Sequence, residues 1–348
     1  MNSFAHSNFS QIMKKILITG GAGYIGSHTA VELWNAGMEP IILDDLSNSN
    51  EEVLNRLREI TGKEFVFYKG DCNDSSLLKK ICSEHQIEGV IHFAAFKAVG
   101  ESTQVPLKYY RNNVGSLLIL LEVMKEKGIR DLVFSSSCTV YGQPDILPVT
   151  EATPRKDAES PYGNTKKICE DILVDYVKSK PGIRVISLRY FNPVGAHPSS
   201  KIGELPIGTP QNLVPFITQT AAGIREKLTV FGNDYDTPDG SCVRDYIHVV
   251  DLADAHVKAF QYLAEQGSDF YEVFNVGTGN GNTVLEVIHA FEKVSGEKLN
   301  YVIGPRRPGD VVKTWADTTK INQVLGWYPK FSLEDSMRDS WNWQKSLG

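Results

Sequence analysis

The chain has 348 residues and a formal net charge of −6, from 42 acidic and 36 basic side chains. This length predicts two lobes at roughly 150 residues per domain, and 41% hydrophobic with 22% charged residues is typical of a globular protein. The acidic balance argues against a general nucleic-acid-binding protein, which needs a basic surface to displace counterions from phosphates.

Cysteine usage and hydropathy exclude further classes of protein. The five cysteines form no CxxC pair and no Cys/His cluster at metal spacing, so no metal site is expected. Their odd, scattered arrangement favours a reducing compartment. No apolar run approaches the length of about 20 residues that crosses a membrane. Residues 1–11 are polar and lack a basic start, so we interpret 1–13 as an N-terminal extension and predict a cytoplasmic protein.

The first half of the chain alternates strand patterns with helix patterns. Strands are predicted at 14–19, 41–43, 65–69, 89–95, 132–135 and 184–188, and helices at 24–36, 77–85, 106–127 and 162–178. This alternation implies right-handed crossovers and an α/β fold with a Rossmann-type doubly wound parallel sheet. The ligand crevice of such a sheet lies beyond the carboxyl ends of its strands. We assign residues 14–190 to this domain.

The alternation of strand and helix patterns is lost after about residue 190, where prolines interrupt the chain. Strands are predicted at 228–231 and 273–276, and helices at 251–263 and 284–294. Residues 191–348 are therefore interpreted as a smaller mixed α/β lobe. Segments of residues 191–348 could also cross back to the first domain.

The first predicted strand is followed by glycines at positions 20, 23 and 26. Gly20 permits a sharp turn, Gly23 lets the backbone approach a pyrophosphate, and Gly26 lets the next helix pack close to the sheet. A glycine triplet alone is weak, since glycine also ends many ordinary strands. Asp44 strengthens it, because an acid at the end of the next strand accepts hydrogen bonds from ribose hydroxyls and repels a 2′-phosphate. The pattern predicts NAD rather than NADP; Asp71 is placed either at the adenine edge or in a plain turn.

A tyrosine and a lysine four residues apart begin the helix predicted at 162–178. The spacing puts Tyr162 and Lys166 on one helix face, where the cation is expected to lower the phenol pKa toward neutrality and make it a general base. Tyr176 and Lys180 repeat the spacing, but about 21 Å further along the helix axis. The run of serines 135–137 ends the fifth strand, so a serine hydroxyl there can bind the same substrate oxygen, although such a run is also typical of a polar turn.

Longer motifs extend these local signals. They read GGAGYIGSH, HFAAFKAVGES, FSSSCTVYG, SPYGNTK, LRYFNPVGAHPS, FGNDY and VRDYIHV. From about Met13 to the end, the chain resembles the UDP-glucose (UDP-galactose) 4-epimerases of the extended short-chain dehydrogenase/reductase family. The resemblance implies NAD as cofactor and a UDP-sugar substrate held mainly by the second lobe. It also implies a homodimer, to which the apolar run 116–124 points independently unless a neighbouring helix of the same chain buries it.

The resemblance implies three groups of site residues. Catalysis is assigned to Tyr162 as base, Lys166, and Ser137 as hydrogen-bonding partner. The cofactor is expected to contact Gly20, Gly23, Tyr24, Ile25, Gly26, Asp44, Asp45, Leu46, Ser47, Asn48, Ser49, Asp71, Cys72, Phe93, Ala94, Ala95, Lys97, Asn112, Tyr162 and Lys166. The sugar nucleotide is expected to contact Ser137, Tyr162, Asn192, Asn212, Leu213, Phe231, Arg244, Arg307, Asp310 and Thr314. Two arginines suit a diphosphate. Each of these residues could instead have an ordinary structural role without contact to a ligand.

The reaction implied by the resemblance is oxidation and re-reduction at C4 of the hexose, through a transient 4-keto sugar that turns about its diphosphate link. Thr314 is smaller than the tyrosine typical of relatives confined to UDP-glucose and UDP-galactose, which favours additional use of N-acetylated UDP-sugars. A sugar-nucleotide 4,6-dehydratase is the nearest alternative, but its Asp-Glu pair is replaced here by Cys138 and Thr139. A catalytically inactive NAD-binding regulator is a further alternative, against which the intact Tyr162, Lys166 and Ser137 argue.

Overall fold

The computed structural model describes residues 13–307 and 310–348, so nearly all of the predicted extension at 1–13 lies outside the described residues. The first half contains the strands β1 Lys15–Thr19, β2 Glu39–Asp44, β3 Val66–Lys69, β4 Gly89–His92, β5 Asp131–Ser137 and β6 Arg184–Tyr190. Its helices are α1 Tyr24–Asn35, α2 Glu52–Thr61, α3 Ser75–His85, α4 Val99–Gln104, α5 Pro106–Tyr109, α6 Gly115–Lys127 and α7 Pro161–Lys178.

The second half is mixed. Its strands are β7 Asn192–Val194, β8 Leu228–Phe231, β9 Val243–Arg244, β10 Tyr246–His248, β11 Phe270–Val276, β12 Asn282–Thr283, β13 Tyr301–Gly304 and β14 Lys313–Thr314. Its helices are α8 Leu213–Ala221, α9 Val249–Leu263, α10 Val284–Ser295, α11 Thr319–Leu325 and α12 Leu333–Ser346.

A seven-stranded parallel sheet organises the molecule, in the order β11-β6-β5-β4-β1-β2-β3. This confirms the predicted doubly wound α/β fold. The last half of the chain crosses back into this sheet, because β11 pairs with β6 along its full length and α9 packs against α1. A smaller lobe is built around the β8–β13 pair and the three-stranded sheet β12-β9-β14.

Both faces of the large sheet are apolar, as a parallel sheet covered by helices requires. Ile16 and Ile18 of β1 face one core cluster with residues of α1 and α9, and Leu17 faces the opposite cluster with residues of α3, α6 and α7. A third cluster joins α8, α10 and α12 in the smaller lobe. In residues 13–307 and 310–348, no helix is long and apolar enough to cross a membrane.

Several boundaries differ from the predictions. β4 ends at His92 rather than 95, because the N–H groups of Phe93 and Ala94 both turn to the Thr19 carbonyl. The helix α2 has no counterpart among the predicted elements. The helix predicted at 106–127 carries a π-helical turn at Tyr110–Val114, a feature frequent at functional sites.

Candidate active site

The glycine turn lies between β1 and α1. Gly20 adopts φ of +71°, and its N–H donates to the Leu43 carbonyl at 2.8 Å. A Cβ at Gly26 would lie 2.3 Å from the Gly20 carbonyl oxygen, so only glycine lets α1 begin this close to the turn. The turn and the helix N-terminus thus leave a backbone cradle shaped for a pyrophosphate.

Asp44 at the end of β2 organises the next loop. Its carboxylate accepts from the Ala22 N–H at 3.0 Å, the Leu46 N–H at 2.9 Å and the Ser49 hydroxyl at 2.9 Å. Burial raises the pKa of this carboxyl, and the three hydrogen bonds act to lower it. Asp45 caps the Ser47 N–H at 2.8 Å in the same loop. Asp44, which is predicted to accept hydrogen bonds from the ribose hydroxyls, is therefore held firmly beside the glycine turn.

Polar side chains that follow β3 lie at the same edge of the sheet as the glycine turn. Asp71 accepts from the Asn73 N–H at 2.8 Å, and the Asn73 side chain donates to Asn112 at 3.2 Å. The structure thus brings Asp71 and Asn112 together, as their common assignment to the cofactor requires. Burial raises the pKa of the Cys72 thiol to about 12, so this residue is an apolar wall rather than a nucleophile.

Asn113 was not predicted from the sequence, yet it ties two parts of the site together. Its side-chain carbonyl accepts from the Phe96 N–H at 2.9 Å, and its amide donates to the Phe96 carbonyl and to the Thr165 hydroxyl, both at 3.0 Å. These bonds fix the segment that contains Ala95 and Lys97 against α7. The sequence signal is a second asparagine directly after Asn112, before the apolar run 116–124.

The carboxyl end of β5 and the start of α7 bring the catalytic candidates together. The Ser137 hydroxyl faces the Tyr162 phenol and acts to lower its pKa, while burial raises that pKa to about 12. Lys166 donates from Nζ to the Ser135 carbonyl at 2.6 Å, and burial lowers its pKa to about 8. Tyr176 instead packs against an apolar cluster near the far end of α7.

The predicted effect of Lys166 on Tyr162 is wrong for this structure. The phenol pKa is raised rather than lowered toward neutrality, because desolvation outweighs the contribution of Ser137. Lys166 is directed instead to the β5 carbonyl. A base at Tyr162 therefore needs a further positive charge close to the phenol.

The second half supplies a cluster of cationic side chains, of which Arg244 acts on the Cys138 thiol next to Ser137. Arg307 donates to both oxygens of Asp310, at 3.1 and 2.7 Å, and Arg244 lies 3.7 Å from the same carboxylate. The Arg307 guanidinium also lies 5.5 Å from the centre of the Phe231 ring. Thr314 is buried directly beside Arg244 in the β9–β14 register. Strand pairing and these side-chain contacts thus bring Arg307, Asp310 and Thr314 together with Phe231 and Arg244.

The remaining cofactor and substrate candidates are placed by contacts with neighbouring elements. Asn192 is fixed by its N–H, which donates to the Asp245 carbonyl at 2.9 Å. Asn212 precedes α8, whose first residue Leu213 packs into the third apolar cluster. The Tyr24 hydroxyl donates to the Gly195 carbonyl at 2.7 Å. Ile25 packs into the core beside the glycine turn, so its side chain is structural.

A buried ion pair, also missed by the sequence reasoning, lies beneath the catalytic residues. Arg189 donates to both oxygens of Glu170 at 2.8 and 2.6 Å, and Ser136 donates to the same carboxylate at 2.6 Å. Because Glu170 follows Lys166 by one helical turn and Ser136 precedes Ser137, this network fixes α7 against the end of β5.

The residues present fit a dinucleotide. Glycines stand where a Cβ would close the cradle, a held carboxylate stands at the ribose position, and Lys97 supplies a cation. Among residues 13–307 and 310–348, no cluster of His, Cys, Asp and Glu side chains could hold a metal ion.

Comparison with known proteins agrees with this geometry. The profile of the family described as GDP-mannose 4,6 dehydratase matches residues 17–340. The UDP-glucose 4-epimerase of Bacillus subtilis (strain 168) is 54% identical over 95% of this chain and 97% of its own. The chain belongs to the UDP-glucose 4-epimerase family.

Solved structures of this family share the whole fold. The UDP-glucose-4-epimerase from Stenotrophomonas maltophila, with bound NAD and formylated UDP-arabinopyranose, is 46% identical with a TM-score of 0.93, over 96% of this chain and 98% of that one. The Bifidobacterium longum enzyme in complex with NAD+ and UDP is also 46% identical, with a TM-score of 0.92 and the same coverage.

Residues 138 and 139 distinguish this epimerase-family site from that of a dehydratase. An elimination needs an acid and a base beside the strand-end hydroxyl. Burial raises the pKa of the Cys138 thiol to about 12, and the buried Thr139 hydroxyl has no hydrogen-bond partner among the residues that the structure describes. Neither group can act as the missing carboxyl pair at neutral pH.

Proposed function

We propose that this protein interconverts UDP-glucose and UDP-galactose by NAD-dependent epimerisation at C4. The observation that carries this assignment is the Ser137–Tyr162–Lys166 arrangement at the carboxyl end of β5, with no carboxyl pair at residues 138 and 139. Such a site can oxidise and re-reduce a sugar carbon but has no group for dehydration.

Tyr162 is the proposed base for the sugar 4-hydroxyl, and Ser137 donates to the same oxygen. Bound NAD supplies the hydride acceptor at C4, the hydride donor after the 4-keto sugar has turned, and a positive charge that favours the phenolate. Lys166, held on the Ser135 carbonyl, keeps two of its three N–H donors for the cofactor ribose. Tyr162 returns the proton when the sugar is reduced again.

The sugar nucleotide is anchored through its UDP portion. Arg244 and Arg307 offer charge-assisted bonds to the diphosphate, and Phe231 offers its face to the uracil ring. Asp310 orients both guanidinium groups until the diphosphate arrives. Anchoring at this end leaves the hexose free to present either face.

The direct test mixes the purified protein with UDP-galactose, adds no NAD, and follows the UDP-hexose ratio. We expect conversion to an equilibrium mixture, because NAD copurifies. Failure to convert even with added NAD contradicts the proposal.

Replacement of Tyr162 by Phe tests the base. Activity should fall by roughly 10²–10⁴-fold, the contribution of general base catalysis, with bound NAD retained. Tyr176→Phe is the matched control, since this second tyrosine of α7 lies far from Ser137. A fully active Tyr162→Phe together with an inactive Tyr176→Phe would transfer the role to the other motif.

We also propose a cytoplasmic homodimer. Much of the apolar run 116–124 packs within the chain, including Leu117, Leu120 and Val123, but Leu118 stays exposed. Leu107, in the preceding helix α5, is 77% exposed. Large apolar side chains on adjoining helices favour burial against a second copy of this chain.

A further inference from the structure

One carboxylate joins the proposed cofactor side of the crevice to the substrate side. The Glu204 oxygen Oε1 accepts from the Lys97 ammonium at 3.2 Å and from the Asn212 amide at 2.6 Å. The Glu204 side chain is 11% exposed, whereas that of Lys97 is 47% exposed. Because the carboxylate is largely shielded from water, its attraction to the ammonium is less screened than between two fully exposed groups.

The backbone of Glu204 is itself fixed. Its carbonyl accepts from the Trp343 indole N–H at 3.0 Å. A Cβ at the preceding Gly203 would lie 2.5 Å from the Trp343 ring, so the loop lies flat against this side chain. Glu204 and Trp343 line one small cavity with Tyr24 and Gly195, next to the glycine turn. The backbone of Glu204 is therefore held by α12, independently of the bonds that its carboxylate makes to Lys97 and Asn212.

The two partners retain donors for ligands. A lysine ammonium has three N–H donors and an asparagine amide has two, and Glu204 uses one of each. Lys97 keeps two donors for the cofactor, and Asn212 keeps one for the sugar nucleotide. Glu204 thus orients both side chains without occupying them.

We propose that Glu204 is a positioning residue that couples NAD binding to UDP-sugar binding by holding Lys97 and Asn212 on a single oxygen. This inference rests on the proposed function. Since both ligands use side chains ordered by one carboxylate, each ligand strengthens the hold on the other, and this coupling is reciprocal.

The experiment measures NAD release from the purified holoenzyme, with and without saturating UDP as the probe. Released NAD is quantified enzymatically over time. UDP is expected to slow release from the unmodified protein, and Glu204→Ala to reduce this UDP effect by about tenfold, which corresponds to 1.4 kcal/mol for one charge-assisted bond. Glu204→Gln keeps an acceptor for Asn212 but lacks the charge that holds Lys97, so it should fall between the two.

Glu59→Gln is the matched control. Glu59 pairs with Lys201 at 2.5 Å on the surface, and both side chains are half-exposed. It should leave the UDP effect unchanged.

The outcomes separate coupling from a merely structural role. If Glu204→Ala lowers the melting temperature but keeps the full UDP effect, Glu204 is only structural and the inference is overturned. It is equally overturned if UDP does not slow NAD release from the unmodified protein. A protein that carries no NAD and does not convert UDP-galactose when NAD is added would overturn the proposed function together with this inference.

Discussion

Replacement of Gly26 by Ala should remove the cofactor while leaving the rest of the fold in place. An alanine Cβ would lie 2.3 Å from the Gly20 carbonyl oxygen and 2.8 Å from Gly21 Cα. Both obstacles are backbone atoms, so no side chain can rotate away. Ordinary contact begins near 3.4 Å, which means that α1 and the glycine turn must separate by about 1 Å.

That displacement sets the expected magnitude. Misplacement of a binding group by about 1 Å costs roughly 10²-fold in rate, and forcing a methyl group into a packed site costs about 1–3 kcal/mol of stability. We therefore expect Gly26→Ala to copurify with little NAD and to lose about 10²-fold of its epimerase activity. NAD content is measured after acid release, and the melting temperature is recorded in parallel.

Gly100→Ala is the control, because Gly100 also lies in a helix but its added Cβ meets nothing within 4 Å. This variant should keep its NAD and gain up to about 1 kcal/mol from the better helix former. The reasoning is refuted if Gly26→Ala retains a full complement of NAD and full activity.

Three further predictions concern specificity, assembly and pH. The unmodified protein should interconvert UDP-N-acetylglucosamine and UDP-N-acetylgalactosamine measurably. Thr314→Tyr should suppress this activity and largely keep UDP-galactose turnover. If the unmodified protein does not turn over the N-acetylated pair, the role of Thr314 is contradicted. Light scattering at micromolar concentration should give twice the chain mass for the unmodified protein and a lower mass for the Leu107→Lys variant. A monomeric mass for the unmodified protein would exclude the dimer. Burial, and secondarily Lys166, lowers the pKa of His92 to about 3, so the unfolded chain binds a proton below about pH 6.5 that the folded chain does not. The free energy of unfolding should therefore fall by about 1.4 kcal/mol per such histidine on going from pH 7.5 to 5.5, and His92→Asn should shrink the fall seen in urea titrations; an unchanged fall would contradict this account.

Chain order and local residue patterns were enough to predict the sheet class and the local parts of the site. The glycine turn, Asp44, Ser137 and Tyr162 each stand at the end of a strand or the start of a helix. Because the carboxyl ends of parallel strands meet at one edge, their order in the chain was enough to place them in one crevice. The spacing of Tyr162 and Lys166 also predicted a shared helix face, but not the raised phenol pKa, which depends on burial by distant segments.

Which distant residues meet depends on how the folded chain packs. Strand β11 joins the large sheet although residues 191–269 separate it from β6 in the sequence. The β9–β14 register brings Thr314 beside Arg244, and Trp343 fixes the loop from which Glu204 reaches Lys97. These contacts join segments far apart in the chain, and no periodicity or spacing encodes them, because they arise when separately formed elements pack and satisfy one another's polar groups.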